Sequence, residues 1–332
     1  MRSSIRPSRR RLMGWATALM AGALACATLS AAAQEFPART VRIVVPFGPG
    51  GVGDLTARTV GQKLSEIWGK PVVIDNKPGA GGVVAADTVA KADPDGHTLF
   101  LMSNGTAVSQ ALFKSLPFDA VRDFAPLSTL GYFDVAVVVP EGAPFQTFKE
   151  LLAFARTHPG KLNIGSINVG STQNLAAELF KSSAAIDAQV VPFNGTPALI
   201  NALRGKQVDV GVEILGPLLP QVKANALRVL AVTGERRSVI LPEVPTAREM
   251  GVSGFVASSW NALAAPARTP RDVLAKLQRD IAVAMESPEV RKRLQELNVD
   301  AQSSTTEQLA ELLAGDIRRW SAVIAKAQIP RQ

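Results

Sequence analysis

Short apolar runs and stretches with helical periodicity alternate along the chain from residue 41 onward. Val41–Val45 is a β-branched run typical of a buried strand. Apolar residues then recur at helical spacing from Asp54 to Trp68. Between the two, residues 48–53 hold four glycines and one proline, a composition that interrupts both strands and helices. The pattern predicts a strand, a tight loop and a helix, whose free N–H groups would form an anion site.

The same order of strand, loop and helix recurs through most of the chain. Further strands are predicted at residues 72–75, 97–102, 134–140, 162–166, 190–193, 208–213 and 227–233, and an extended segment at 255–263. Later helices are predicted from the second glycine turn to Ala90, at residues 148–157 and 174–181, from Pro197 to Leu203, and at residues 271–286, 288–297 and 306–327. This alternation indicates an α/β fold with parallel strands, whose ligands bind beyond the carboxyl ends of the strands.

The predicted elements group into two α/β units, followed by a helical C-terminal segment. If those helices return to the first unit, the chain crosses between the units twice, near residues 132–134 and 256–260. Two antiparallel crossing strands would make a hinge.

Residues 1–33 have the pattern of an export signal. Five arginines precede an apolar stretch that ends at Leu29, and Ala31-Ala32-Ala33 supplies a cleavage site before Gln34. The arginine pair at positions 9 and 10 also fits a twin-arginine signal, so the export route stays open. Cys26 lacks the residue pattern expected of a lipid attachment site. The sequence predicts cleavage near Ala33 and a periplasmic protein.

Removal of this segment changes the net charge and the cysteine content of the chain. It carries five of the eight net positive charges and the only cysteine of the chain, Cys26. A mature chain of about +3 without a basic, aromatic-interleaved stripe predicts no nucleic-acid partner. Its 299 remaining residues suffice for two domains, and no apolar run after Leu29 reaches transmembrane length.

The glycine loop also fits a dinucleotide-binding fingerprint. Gly48, Gly50 and Gly53 match G-x-G-x-x-G, and Asp75 ends the next apolar run. Pro49 removes a donor, and Asp54 would place a negative charge where a pyrophosphate lies. We therefore expect no cofactor, while a loop that needs glycine only for its backbone angles stays an alternative.

Catalytic candidates are scarce in the mature sequence. It contains two histidines, His97 and His158, and neither lies beside a nucleophile-like serine. The sequence holds no G-x-S-x-G motif and no cluster with metal-ligand spacing. We predict no catalytic residues and no metal, with an exported hydrolase as a remote alternative.

Several motifs in a fixed order resemble one family. They are 46-PFGPGG-51 with Asp54 and Arg58, 75-DNKPGAGG-82, 94-PDGHTL-99, 195-GTPA-198, 230-LAVT-233, 241-LPEVPT-246 with Glu249 and Gly251, and Ala265-Pro266 with Thr269-Pro270. Together they span nearly the whole mature chain. On these motifs the chain resembles the Bug proteins (Bordetella uptake gene), the periplasmic solute receptors of the tripartite tricarboxylate transporter type.

The resemblance implies a periplasmic-binding-protein-like fold with a ligand cleft between two domains and two crossover strands as the hinge. Residues 34–133 plus 258–332 would form the first domain, and residues 134–257 the second. The implied function is capture of a small organic mono- or dicarboxylate by domain closure, for delivery to membrane permease subunits. The receptor is expected to be a monomer. A receptor that presents its loaded form to a membrane signalling protein is the alternative.

The resemblance also implies that two loops, 48–54 and 165–172, hold the carboxylate. The candidate ligand-binding residues are Phe47, Pro49, Gly50, Gly51, Asp54, Ser103, Asn104, Ser166, Asn168, Gly170, Ser171, Thr172, Asn194, Gly195, Thr196 and Glu213. Ser166, Ser171 and Thr172 could equally cap a helix. Asp54 could complement the helix dipole or anchor the loop, and Glu213 could be a solvated acid or a cleft residue.

Five positions depart from the family pattern, all in the second unit. Asn168 stands where glycine is usual, Asn174 where histidine is usual, Phe193-Asn194 where Tyr-Lys is common, and Glu213 where aspartate is frequent. These departures affect the identity of the ligand rather than the fold.

Overall fold

Two βαβαβ units are the main feature of the computed structural model, which describes residues 36–332 except Val239 and Ala327. The strands are β1 Val41–Val45, β2 Val72–Asn76, β3 Thr98–Ser103, β4 Phe124–Pro140, β5 Leu162–Ile167, β6 Ala188–Phe193, β7 Val210–Ile214, β8 Leu227–Val232 and β9 Ser258–Pro266. The helices are α1 Val52–Trp68, α2 Val83–Ala90, α3 Asn104–Leu112, α4 Phe148–Thr157, α5 Thr172–Ala184, α6 Thr196–Arg204, α7 Leu215–Lys223, α8 Arg271–Glu286, α9 Pro288–Glu296 and α10 Thr306–Lys326. The predicted signal segment, 1–33, lies outside the described residues.

The two units have the same strand order. In the first, β1 lies between β2 and β3 and is parallel to both. In the second, β5 lies between β6 and β7 and is again parallel to both. The central strand of each unit feeds a glycine-containing loop and then a helix, α1 or α5. In each unit, the next two strands therefore lie on opposite sides of the central strand. Open α/β sheets bind ligands in the crevice at such a point.

Antiparallel strands join the two units, so the sheet is mixed rather than wholly parallel. β9 lies between β3 and β4 and is antiparallel to both. Residues 124–134 of β4 pair with β9, whereas residues 135–140 pair with β7 and β8. We call β1–β3, β9 and residues 124–134 the first sheet half, and β5–β8 with residues 135–140 the second sheet half.

The crossing between the halves lies where the sequence predicts it. Tyr132 pairs with Trp260, Phe133 with Ser259 and Asp134 with Ser258. This confirms the predicted α/β fold class with two crossover strands. Beyond the crossing, β9 continues to Pro266, although the sequence suggests a break at Ala265-Pro266. The ring of Pro266 is tolerated because it is the last residue of the strand.

The core follows directly from the apolar pattern. Every residue of β1 except Arg42 is fully buried, which explains its β-branched composition. The C-terminal helices pack on the first unit: Trp68 of α1 donates to Asp280 of α8, and Trp320 of α10 is fully buried. Within the part of the chain that the structure describes, no helix is long and apolar enough to cross a membrane.

Two helices were not expected from the pattern. Residues 103–106 predict a polar strand end, but Ser103 is the N-cap of α3, with Thr106 completing a capping box. The second is α7, which contains Pro217 and Pro220. Pro217 lies in the first turn, where an N–H has no partner within the helix, so only Pro220 removes a helical hydrogen bond.

Candidate functional site

Two adjoining cavities lie where loops of the first and second sheet halves meet. The larger is lined by Phe47, Gly48, Gly51, Val52, Gly53, Ser103, Phe133, Ile167, Thr172, Gln173, Gly195, Thr196, Ser259 and Asn261. The smaller is lined by Pro46, Phe47, Gly79, Gly81, Gly82, Ser103, Gly105, Thr106, Asn168, Gly170 and Ser171. The centre of a water molecule can occupy about 20 Å³ of the first and about 10 Å³ of the second. Each space holds about one water.

Four helices begin at the walls of these cavities. The first residues of α1, α3, α5 and α6, or their N-caps, are all among the lining residues. Among the described residues, neither cavity is lined by a charged side chain. A helix N-terminus carries about half a positive charge on its free N–H groups. The backbone at the four helix starts therefore contributes a positive potential to the site.

The N-caps divide these helices into two pairs. Ser103 accepts from the N–H of Gly105 at 3.1 Å, and Ser171 accepts from the N–H of Asn174 at 3.1 Å. The caps of α1 and α6 are Gly51 and Gly195, and within the described residues no side chain caps either helix. Apart from Pro197, which has no N–H, the first-turn residues of α1 and α6 thus keep the hydrogen-bonding capacity of their N–H groups for a ligand.

Asp54 anchors the first loop from behind. Its carboxylate accepts from the N–H of Gly50 at 2.9 Å, from Nε of Arg58 at 3.0 Å and from Nδ2 of Asn76 at 2.9 Å. Burial raises its pKa, but hydrogen bonds from Arg58, Gly50 and Asn76 outweigh burial, so the pKa lies below its usual value. Of the two interpretations from sequence, the geometry favours loop anchoring.

Glu213 is completely buried, which rules out the solvated interpretation. Its Oε1 accepts from Nε2 of Gln173 at 2.8 Å, and its Oε2 accepts from Oγ1 of Thr196 at 3.0 Å. Both donors line the larger cavity, whereas Glu213 does not. Burial raises the pKa of the Glu213 carboxyl, against the lowering effect of its hydrogen bonds. The residue thus orients two cavity side chains at the starts of α5 and α6.

A buried polar network joins the starts of α3 and α5. Oγ1 of Thr172 donates to Oδ1 of Asn104, which also accepts from Nε1 of Trp320 at 2.9 Å. Nδ2 of Asn104 donates to Asp316, which also accepts from Nε1 of Trp260. Asn104 is therefore held in place by α10 and β9 and does not line either cavity.

Close contacts between the sheet halves shut the smaller cavity. The N–H of Gly81 donates to the carbonyl of Val169 at 2.6 Å. The hydroxyl of Ser109 donates to the carbonyls of Gly81 and Gly170. Gly170 has φ +80, and a β-carbon there would lie 2.7 Å from Cα of Gly81. The structure thus shows a conformation in which the two loops are in contact.

The structure brings most of the predicted residues together. Those that line a cavity are Phe47, Gly51, Ser103, Asn168, Gly170, Ser171, Thr172, Gly195 and Thr196. Pro49, Gly50 and Asn194 are exposed and line neither cavity. Asp54, Asn104, Ser166 and Glu213 are buried behind the lining, and Ser166 accepts from Nδ2 of Asn174 at 3.1 Å. The four buried residues thus lie behind the lining, whereas the three exposed ones lie outside the site in this conformation.

Ten lining residues outside the two predicted loops were missed. Phe133, Gln173, Ser259 and Asn261 line the larger cavity, and Pro46, Gly79, Gly81, Gly82, Gly105 and Thr106 line the smaller one. Asn261 is the clearest case, because it is 1% exposed and neither Nδ2 nor Oδ1 has a hydrogen-bond partner among the described residues. Its signal in the sequence is a single amide within the otherwise apolar run 260–266. A second amide, Nδ2 of Asn168, is likewise buried without a partner in the described part of the chain.

Comparisons with known proteins agree on one family. Residues 56–329 match the model of the tripartite tricarboxylate transporter family receptor. The chain is 35% identical over 311 residues to the UPF0065 protein in the tcbD-tcbE intergenic region of Pseudomonas sp. (strain P51), covering 92% of this chain and 93% of that one. It is 32% identical to protein BugT of Bordetella pertussis, covering 88% of this chain and 90% of BugT.

Solved structures with the same fold include two with a bound acid. MatC from Rhodopseudomonas palustris, with bound malate, is 33% identical at a TM-score of 0.83, covering 87% of this chain and 100% of that one. An R. palustris protein solved with adipate is 30% identical at a TM-score of 0.86, covering 89% and 99%. Family match, relatives and fold point the same way: this chain belongs to the tripartite tricarboxylate transporter family of receptors, as the resemblance to the Bug proteins indicates.

Proposed function

We propose that this chain is a periplasmic solute receptor that captures a small organic carboxylate and delivers it to a tripartite tricarboxylate-type membrane permease. One observation carries the proposal: four helix N-termini meet at two cavities that are lined by neutral residues. Each N-terminus favours a nearby negative charge by about 0.3–1 kcal/mol. A cation would be repelled by the same arrangement.

The unpartnered amide of Asn168 supports an acceptor-rich ligand. Its buried Nδ2 needs an acceptor, and a carboxylate offers only acceptors. Phe47, Phe133 and Ile167 supply apolar surface for a carbon skeleton. Malate and adipate, found in two related structures, combine these two properties.

Capture requires the two loops to separate. Spaces of about 20 and 10 Å³ admit single waters and exclude an organic acid, so a ligand enters only from a more open conformation. We assign residues 34–133 plus 258–332 and residues 134–257 to the two moving domains, since β4 and β9 cross near 132–134 and 258–260. Ligand then stabilises the closed form because only that form brings both loops to it.

Cleavage after Ala33 and release into the periplasm complete the proposal, with Gln34 as the mature N-terminus. Mass spectrometry of the periplasmic fraction tests it, and an intact Met1 or a lipid on Cys26 would contradict it. The proposed role includes no catalysis. Its support is that, in the described residues, neither His97 nor His158 lines either of the two cavities of the site and no acid–base pair faces them.

Calorimetry and thermal melting with a ligand panel test the carboxylate class. The panel contains aliphatic and aromatic mono- and dicarboxylates, with their amides as neutral counterparts and diamines as cationic ones. A ligand at 100 times its Kd stabilises by about 2.7 kcal/mol, a melting shift of roughly 5 °C for a chain of this size. Shifts from amides or diamines without any from carboxylates would refute the proposal.

Delivery to a permease needs a separate test in the native host. Deletion of this gene should abolish uptake of the radiolabelled acid that binds in calorimetry, and a plasmid copy should restore it. Unchanged uptake with a lost transcriptional response to the acid would instead identify a sensor that presents its loaded form to a signalling protein.

A further inference from the structure

Asn261 is the most unusual polar residue of the larger cavity. It lies on β9, opposite Ser103 of β3 and Gly131 of β4, in the middle of the first sheet half. It is 1% exposed, yet its side chain lines the larger cavity and both its polar atoms lack a partner among the described residues. The backbone around it is satisfied by strand pairing, so the unmet capacity belongs to the side chain alone.

A buried amide without partners is costly. Each unsatisfied donor or acceptor in a protein interior costs on the order of 1–3 kcal/mol, so such groups are rare unless a ligand or water completes them. The neighbouring polar side chains are already engaged: Ser259 donates to Thr172, and Gln173 donates to Glu213. Among the residues that line the larger cavity, Asn261 is the one whose donor and acceptor atoms are both buried without a partner in the described part of the chain.

A carboxylate cannot supply both hydrogen bonds that the Asn261 side chain requires. A carboxylate could accept from Nδ2, but it has no proton for Oδ1 and would repel that oxygen. An ammonium could donate to Oδ1, but the four helix N-termini disfavour a cation in this space. A hydroxyl both donates and accepts, so one hydroxyl group satisfies either or both atoms.

We propose that Asn261 is a specificity-determining residue that binds a hydroxyl group of the ligand, so that the receptor selects hydroxycarboxylates over the unsubstituted acids. This inference rests on the proposed carboxylate function. Charge is recognised by the helix N-termini, whereas the hydroxyl is recognised by Asn261 on β9. Sites built to bond a hydroxyl discriminate strongly against analogues that lack it, because their own polar groups are then left unpaired.

Calorimetry with matched ligand pairs tests the inference. The pairs differ by a hydroxyl alone: malate and succinate, lactate and propionate, 3-hydroxybutyrate and butyrate. Wild-type protein should bind the hydroxylated member about tenfold to a hundredfold more tightly in every pair for which binding is measurable, the range expected of two neutral hydrogen bonds. In Asn261→Leu, which is similar in size and apolar, that ratio should fall to about one.

Two further variants keep the test decisive. Asn261→Ser retains a smaller hydroxyl group and should keep a reduced preference, and it replaces the leucine variant if that fails to fold. Asn201→Leu makes the same change on the exposed surface of α6 and should leave the ratio as in the wild type.

The outcomes separate the two proposals. Wild-type protein that binds no carboxylate refutes the function itself. Wild-type protein that binds carboxylates without preferring the hydroxylated members overturns the inference and leaves the function intact. An unchanged ratio in Asn261→Leu, with a lowered melting temperature, would show that Asn261 binds only structural water and would also overturn it.

Discussion

Thr172, at the start of α5, donates its hydroxyl proton to Oδ1 of Asn104, at the start of α3, over 2.9 Å. The two residues are 68 positions apart and belong to helices that follow strands of different sheet halves. Asn104 cannot follow Thr172 if the halves separate, because Trp320 and Asp316 hold it. In the closure mechanism that we propose, this hydrogen bond is made in the closed form and broken in the open one.

Thr172→Val should weaken ligand binding without unfolding the protein. Valine has nearly the shape of threonine, and one hydrogen bond of the closed form is worth about 0.5–1.5 kcal/mol, so affinity should fall roughly threefold to tenfold. Calorimetry measures the change. Thr88→Val is the matched control, because that hydroxyl bonds the carbonyl of Val84 within its own helix. Equal affinities in both variants would show that the Thr172 hydrogen bond does not contribute to closure.

Gly170→Val should abolish binding while each sheet half stays folded. A β-carbon on Gly170 would come within 2.9 Å of Phe113 as well as within 2.7 Å of Gly81, and its φ of +80 is unfavourable for valine. Gly51→Val should be milder, since the nearest atom is the Thr196 hydroxyl at 3.2 Å. The two changes should not add, because either one opposes closure.

Circular dichroism and calorimetry on these variants and on Gly142→Val decide the point. Gly142 is a suitable control, because a β-carbon there would meet only the end of the Lys206 side chain, at 3.8 Å. Native circular dichroism with unchanged ligand affinity in Gly170→Val would contradict the inferred contact between the loops.

Glu213 should make the stability depend on pH. Burial raises its pKa above the ordinary 4.5, so the folded state holds the proton more tightly than the unfolded state. The resulting penalty is absent below pH 4.5, grows as the pH rises from 4.5 toward the raised pKa, and is constant above it. The melting temperature of the wild type, relative to that of Glu213→Gln, should therefore decline between pH 4.5 and 8. A constant difference over that range would show that folding does not raise the pKa of Glu213.

Asp54 should give the stability the opposite dependence on pH. Its lowered pKa means that it stabilises the folded state above its ordinary 3.8, and that this contribution is lost as the pH falls through the lowered value. Asp54→Asn should cost about 1.5–3 kcal/mol at pH 7, as a hydrogen bond to a charged group does, and less at pH 2.5. Urea unfolding measures this.

Glu66→Gln is the surface comparison for Asp54→Asn. Glu66 pairs with Lys63 on the outer face of α1, and such pairs contribute at most about 1 kcal/mol. If the two substitutions cost the same at pH 7, the hydrogen bonds of Asp54 to the loop do not stabilise the fold.

The sequence predicts two kinds of element well: strands that are buried on both faces and helices that are buried along one face. β1 and α4 have the predicted bounds, because unbroken apolar runs and helical spacing follow from burial alone. The starts of α3 and α7 could not be predicted, since Ser103-Asn104-Gly105 and Pro217 are as common in loops as in first helical turns.

In the candidate site, too, some residues could be identified from the sequence and others could not. Glycine loops after strands are visible in the sequence, so Gly51, Gly170 and their neighbours were identified. Asn261 could not be placed, because its partners in the sheet, Ser103 and Gly131, are distant in sequence. That Glu213 supports Thr196 rather than facing the cavity depends on side-chain orientation, which periodicity does not determine.

The helix N-termini have a consequence for how such a receptor evolves. Their charge preference is carried by main-chain N–H groups, which every residue except proline possesses, so few point mutations can delete it. Side chains such as Asn261 can vary while the helix N-termini still favour an anion. After gene duplication, one copy could change its specificity to a new acid through a single codon change, provided that the glycines at the loop contact are kept.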